Sequence, residues 1–204
     1  MDNAAIADVV VEGLHAAGYA IVADALPAHA IEALRRRAAA LDAAGAFASA
    51  QTGRDTRARD GAVRARGDRI AWLDAATPDP CELPVRALLA ALAAACNRAL
   101  YLGLADDELH YAIYPPGAGY VRHRDRFRDD DARVLSFVLY LNDAWDAAAG
   151  GALRLYATGG AVDVMPAGGT VVAFLADSLE HEVLPATRER RSLTGWLRRR
   201  SLAR

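Results

Sequence analysis

The stretches LHYAIYPPGAGYVRHRDRFRDDDARVLSFVLYLN (109–142), GGALRLYATGGAVDVM (150–165) and GGTVVAFLADSLEHEVLPATRERRSLTGWL (168–197) decide the fold. Each is a series of short runs rich in Val, Ile, Leu, Tyr and Phe, cut by Pro, Gly, Asn and Asp, which is how half-buried strands separated by turns read. The pattern predicts an all-β unit of sandwich or jelly-roll type. Upstream of it the periodicity is helical. Residues 4–17 predict a helix ended by Gly18, Tyr19 to Val22 a short strand, and Ile31, Leu34 and Leu41 a second helix that begins near Pro27 and stops at Gly45.

Residues 45–66 lose the apolar period and gain Gly, Arg and Asp, so they predict a long loop, a type of segment that often covers a site. Arg69 to Trp72 predicts a strand. Leu83 to Leu102 predicts an Ala/Leu-rich helix with Leu88, Leu89, Leu92 and Cys96 on one face. The expected fold class is therefore α+β and mainly β: a double-stranded β-helix (jelly-roll) core braced by N-terminal helices. One domain is expected over 1–204, with helical support in 1–106 and the β core in 107–200.

The chain has 204 residues, 53% of them hydrophobic, enough to bury a sizeable core. Its 24 basic residues, all Arg, against 26 acidic ones give a net charge of -2, so no bulk attraction to nucleic acid or to a membrane surface is built in. No run approaches ~18 consecutive apolar residues and the N-terminus lacks the parts of an export signal. A cytoplasmic protein is expected. Cys81 and Cys96 have no CxxC spacing, so they suggest neither a disulfide framework nor a thiolate metal site.

His123 and Asp125 stand at i and i+2, which in extended chain project to one side, and His181 ends a later strand-like run. Two His and one carboxylate form the facial set that leaves positions open on non-haem Fe(II) for a co-substrate and O2. Taken alone the pair is weak evidence, because RHRDRFRDDD also reads as a solvated turn. The wider constellation adds weight. An oxygenase that uses 2-oxoglutarate needs a cation for the far carboxylate, and the planar fork of Arg suits it best. Arg190 and Arg191 compete for that task. Arg190 shares a strand face with Ser192, Thr194 and Trp196, a polar pocket face, whereas Arg191 alternates with Leu193 and Leu197; alternation favours Arg190. Tyr140 and Tyr114 offer hydroxyls to the same carboxylate, with ordinary aromatic packing as the alternative for both.

YPPGAGYVRHRD (114–125), LYLNDAWDAAAGGALRLY (139–156) and HEVLPATRERRSLTGW (181–196) resemble the prolyl 4-hydroxylase-type oxygenases, especially the oxygen-sensing prolyl hydroxylases of animals and their bacterial relatives. Arg66-Gly67-Asp68 followed by Trp72 is similar to a stretch those enzymes carry before the core. The resemblance covers most of 60–198. It implies iron held by His123, Asp125 and His181, and 2-oxoglutarate held by Arg190, Tyr140 and Tyr114; in the matching pattern the binding Arg stands six residues before the Trp, as Arg190 does before Trp196. It further implies O2 as co-substrate, stimulation by ascorbate, release of succinate and CO2, and a prolyl residue of a protein or peptide as substrate. Elongation factor Tu is the example from bacterial relatives. The same chemistry on a free amino acid, or a non-catalytic 2-oxoglutarate sensor, are the competing readings.

Two finer expectations follow from the resemblance and the strand faces. Asp68 and Arg133 match positions that pair in the family to anchor the substrate loop, so an Asp68–Arg133 ion pair is expected. His110 shares a face with Tyr114; a hydrogen-bonded structural histidine is the expected role, with lining of the cofactor cavity as the alternative.

Overall fold

The computed structural model describes residues 1–50, 66–126 and 132–200. Helix α1 (Asn3–Ala17) is capped by Asp2, whose carboxylate accepts from the backbone N–H of Ala5, and ends on Gly18 in the left-handed region at φ 77°, where a side chain would be strained. Strand β1 (Tyr19–Val22) follows directly. Helix α2 (Ala28–Ala43) places Pro27 at its N-cap, one position earlier than the first turn expected of it. Helix α3 runs Leu83–Leu100, two residues shorter than predicted, and Tyr101 closes it with positive φ.

The remaining strands are β2 (Ala48–Ser49), β3 (Arg69–Trp72), β4 (Leu104–Tyr114), β5 (Tyr120–His123), β6 (Arg133–Tyr140), β7 (Leu153–Ala157), β8 (Gly160–Val164), β9 (Val171–Leu175), β10 (Glu180–Val183) and β11 (Arg190–Arg199). They form a seven-stranded sheet in the order β1-β9-β6-β11-β4-β3-β2 and a four-stranded sheet in the order β5-β10-β7-β8. Every named pairing is antiparallel. Two antiparallel sheets with helices on one side are the jelly-roll core that the turn-broken runs predict. The short β2 falls inside the predicted 45–66 cover loop; residues 51–65 of that loop lie outside the described residues.

Alternation along the large sheet sorts its residues into two cores. Leu109 and Tyr111 on β4, Leu135, Phe137 and Leu139 on β6, and Leu193 and Leu197 on β11 face the helices, where they pack with Ile6, Val10, Leu34, Leu88 and Leu92. Each such side chain contributes about 1.5–3 kcal/mol by leaving water. The opposite face carries Ala112, Tyr114, Val138, Tyr140, Val172 and Phe174 toward Leu153, Leu155 and Val183 of the small sheet. The site lies in this second layer.

By length and composition Pro80–Leu100 passes for a membrane span, which the reading of apolar runs did not anticipate. Its Val85, Leu88, Leu89, Leu92 and Cys96 are nevertheless buried against the rest of the chain, so this face already has its apolar partner. Gly195 sits where β11 passes between β4 and β6, and a Cβ there would meet the Glu108 carbonyl oxygen at 2.0 Å. Only glycine allows that approach.

Candidate active site

His123 ends β5 and His181 lies on β10, and the two are direct partners across the antiparallel pair. Their rings are 4.2 Å apart between centroids. Asp125 stands two residues beyond the end of β5, at a bend, and its carboxylate lies against both histidines. Asp125 Oδ1 is 3.5 Å from His123 Nε2 and 3.7 Å from His181 Nε2, and the three ligand-capable atoms lie within 4.8 Å of one another.

Each imidazole is oriented from behind. His123 Nδ1 is 2.7 Å from the carbonyl of Val121, and His181 Nδ1 is 3.4 Å from that of Leu179. A ring N–H that donates to a carbonyl leaves Nε2 as the lone-pair nitrogen, the form a metal requires. Tyr120 stacks on His123 at 3.5 Å and Phe174 lies 4.6 Å from His181. On Asp125 the second oxygen accepts a 2.6 Å hydrogen bond from Ser136. Burial pushes the Asp125 carboxyl up, but His181, His123 and the Ser136 hydroxyl outweigh it and hold the group below the usual carboxylate range. Burial shifts the His181 imidazole down, against the pull of Asp125.

Arg190 opens β11 opposite Tyr114 and is 2% exposed. Its Nε donates to the Gly151 carbonyl at 3.1 Å and its Nη2 to the Tyr140 hydroxyl at 3.4 Å, with the guanidinium 5.0 Å from the Tyr140 ring and 5.2 Å from the Tyr114 ring. Among the described residues no carboxylate pairs with it. Leaving a guanidinium buried without a counter-charge costs several kcal/mol, so the site suits an anionic ligand. Burial raises the Tyr114 and Tyr140 hydroxyls and keeps both protonated, so each is available to donate. Arg191 is half-buried and pairs with Glu189 instead.

Five of the six predicted residues line one pocket that opens to solvent, and Tyr140 lies behind it with its hydroxyl on the Arg190 guanidinium. The sequence reading missed two contributors. Ser136 is a small polar side chain on the pocket face of VLSFVLYLN, a signal available from alternation with Val138 and Tyr140. Arg66 holds Asp68 through two bonds of 2.6 and 2.8 Å and lies 5.1 Å over the Tyr120 ring.

Arg66 also overturns the expected Asp68–Arg133 ion pair. It leaves the chain two residues before Asp68 and offers its fork at once, while Arg133 on β6 pairs with Glu108 at 2.7 Å and covers the Trp196 ring at 3.4 Å. His110 departs from expectation as well. It lines the pocket, and neither ring nitrogen has a hydrogen-bond partner among the described residues.

The sequence pattern of the 2OG-Fe(II) oxygenase superfamily matches residues 109–198, the stretch that supplies His123, Asp125, His181, Arg190, Tyr140 and Tyr114. A Pseudomonas putida prolyl-4-hydroxylase has the same fold at a TM-score of 0.83 and 44% identity, the match covering 98% of this chain and 100% of that one. The chain belongs to the 2OG-Fe(II) oxygenases of prolyl-4-hydroxylase type.

Two further relatives of this oxygenase bear on it. A Trichoplax adhaerens prolyl hydroxylase, solved with a hypoxia inducible factor oxygen degradation domain peptide fragment, matches at TM-score 0.86 and 27% identity over 96% of this chain and 90% of that one. Human Egl nine homolog 1 is 33% identical over 141 residues, which is 64% of this chain and 32% of that protein. The oxygenase thus spans about a third of the length of that curated relative.

Proposed function

We propose that this oxygenase is an Fe(II)- and 2-oxoglutarate-dependent dioxygenase that hydroxylates a prolyl residue in a protein. The observation that carries the reading is Arg190, a buried cation without an acidic partner among the described residues, in the same pocket as the His123, Asp125 and His181 ligand set. His123, Asp125 and His181 would hold the iron as a facial set. Arg190 with the hydroxyls of Tyr140 and Tyr114 would hold the far carboxylate of 2-oxoglutarate.

Iron, 2-oxoglutarate and O2 together supply an oxidant able to take a C–H hydrogen, with succinate and CO2 as co-products; ascorbate would keep the metal ferrous. The chain's own part is placement. The carbonyls of Val121 and Leu179 keep the imidazoles in one tautomer, Ser136 fixes the carboxylate, and burial of the Arg190 end excludes water from the co-substrate.

The prolyl assignment draws on the Pseudomonas relative, 44% identical over its full length, and the choice of a protein substrate on the peptide bound to the Trichoplax relative. Elongation factor Tu is the first candidate, from the resemblance to bacterial relatives, and the two free thiols suit a cytoplasmic setting. The test is a soluble lysate treated with the purified chain, Fe(II), 2-oxoglutarate and ascorbate. A protein that gains 16 mass units on a proline, at roughly one succinate per hydroxylation, supports the proposal. Binding of 2-oxoglutarate with no turnover on any protein or amino acid would replace it with the sensor reading.

A further inference from the structure

β11 sets Arg190, Ser192, Thr194 and Trp196 in order along the pocket, and β4 sets Tyr114, Ala112 and His110 beside the first three. His110 is therefore four residues from Tyr114, roughly 13 Å along the strand, and away from the Arg190 end. It is 1% exposed. Trp72 meets its ring edge-on at 4.8 Å and Trp196 lies tilted at 5.5 Å, so two indoles hold its orientation.

Inside this cage three polar atoms have no partner among the described residues: both ring nitrogens of His110 and Nε1 of Trp196, which is 4% exposed. An unsatisfied buried polar group is costly, and a leucine or methionine would fill the place of His110 without that cost. Burial holds the imidazole neutral, with a pKa pushed down to about 3, against the field of Asp125 and together with those of Arg66 and Arg133. A neutral imidazole presents one donor and one acceptor, and an indole N–H only donates. Two donors on rings 5.5 Å apart suit one oxygen with two lone pairs. A prolyl residue has no amide N–H, so the polar group nearest its ring carbons is its own carbonyl.

We propose that His110 and the Trp196 indole N–H form a hydrogen-bonding subsite for a backbone carbonyl of the substrate, at the end of the pocket away from Arg190. The subsite rests on the prolyl reading above and makes His110 a determinant of substrate choice in this chain.

The test uses the full chain loaded with Zn(II) and 2-oxoglutarate, titrated by NMR with acetyl-Gly-Pro-Gly-amide and with acetyl-glycyl-pyrrolidide, which lacks the prolyl carbonyl. Wild type is expected to bind the first about tenfold more tightly, in line with one or two net hydrogen bonds. His110→Leu should remove most of that ratio, His110→Gln should retain most of it, and the leucine variant should melt no lower than wild type at pH 7. His110→Met replaces the leucine variant if that one does not fold. Equal binding of both compounds by wild type, or an unchanged ratio in the apolar variant, overturns the subsite and leaves the prolyl reading standing. Wild type that binds 2-oxoglutarate and neither compound overturns the prolyl reading and the subsite with it.

Discussion

Ser136 Oγ donates to Asp125 Oδ2 at 2.6 Å, and this hydroxyl from the middle of β6 fixes the only carboxylate of the ligand set. Groups that orient a metal ligand from behind typically change affinity by 10–100-fold when removed. Ser136→Ala is expected to weaken Mn(II) or Fe(II) binding by at least about tenfold, and Ser136→Thr to restore it. An isothermal titration with equal affinities for wild type and the alanine variant would refute the role.

Arg190 is the second point of attack. Arg190→Lys keeps a charge but loses the two-pronged geometry, so 2-oxoglutarate affinity should fall by about tenfold or more. Arg190→Ala should abolish measurable binding of 2-oxoglutarate while leaving Mn(II) affinity close to wild type. Metal loss in parallel with co-substrate loss would show that the guanidinium holds the pocket together rather than the ligand.

Arg66 and Asp68 form a buried pair, and removal of one partner leaves the other uncompensated. Asp68→Ala is expected to cost about 3 kcal/mol in urea unfolding. In an Arg66→Ala background the same change should cost much less, whereas in an Arg133→Ala background its cost should be undiminished. A double-mutant cycle that instead couples Asp68 to Arg133 would restore the pairing expected from the family pattern.

His110 gives the protein a pH signature. Its folded pKa is depressed to about 3, so below the unfolded value of about 6.5 the unfolded chain takes up a proton that the folded chain refuses. Stability from this group is complete above about pH 6.5 and is lost as pH falls toward the folded value. Between pH 7 and pH 4.5 the Tm of wild type should fall further than that of His110→Leu. Asp125, whose pKa is depressed from the carboxylate side, loses its contribution only below the ordinary carboxylate range and so does not mimic this window. Parallel curves for the two proteins would refute the assignment.

Much of this site was legible because period two governs it. Arg190 over Arg191 follows from which face carries Leu193 and Leu197, and β6 obeys the same rule for Tyr140 against Leu139. Strand interiors transmit side-chain direction faithfully, so the pocket face of the large sheet could be read in advance. What alternation does not encode is where a side chain goes once the strand stops. Arg66 takes Asp68 because it stands two residues away, a local capture that no longer-range pattern reveals. The unpaired nitrogens of His110 were hidden for a related reason. Sequence shows that a histidine lies on a face, and only packing shows that its neighbours there are two indoles without an acceptor to offer.

β11 is hydrogen-bonded on both sides, to β4 and to β6, and carries the residues at both extremes of the pocket. Inserting or deleting one residue between Arg190 and Trp196 would leave them on opposite faces, so that one of the two would turn to the helix-side core and its neighbour, Arg191 or Leu197, would enter the cavity. The chain can therefore be retuned along this strand only by exchange of one side chain for another, never by a change of length. New substrate preferences are cheapest to acquire at β3, nearer the edge of the sheet, where Trp72 is half exposed and its backbone answers to His110 alone in the register.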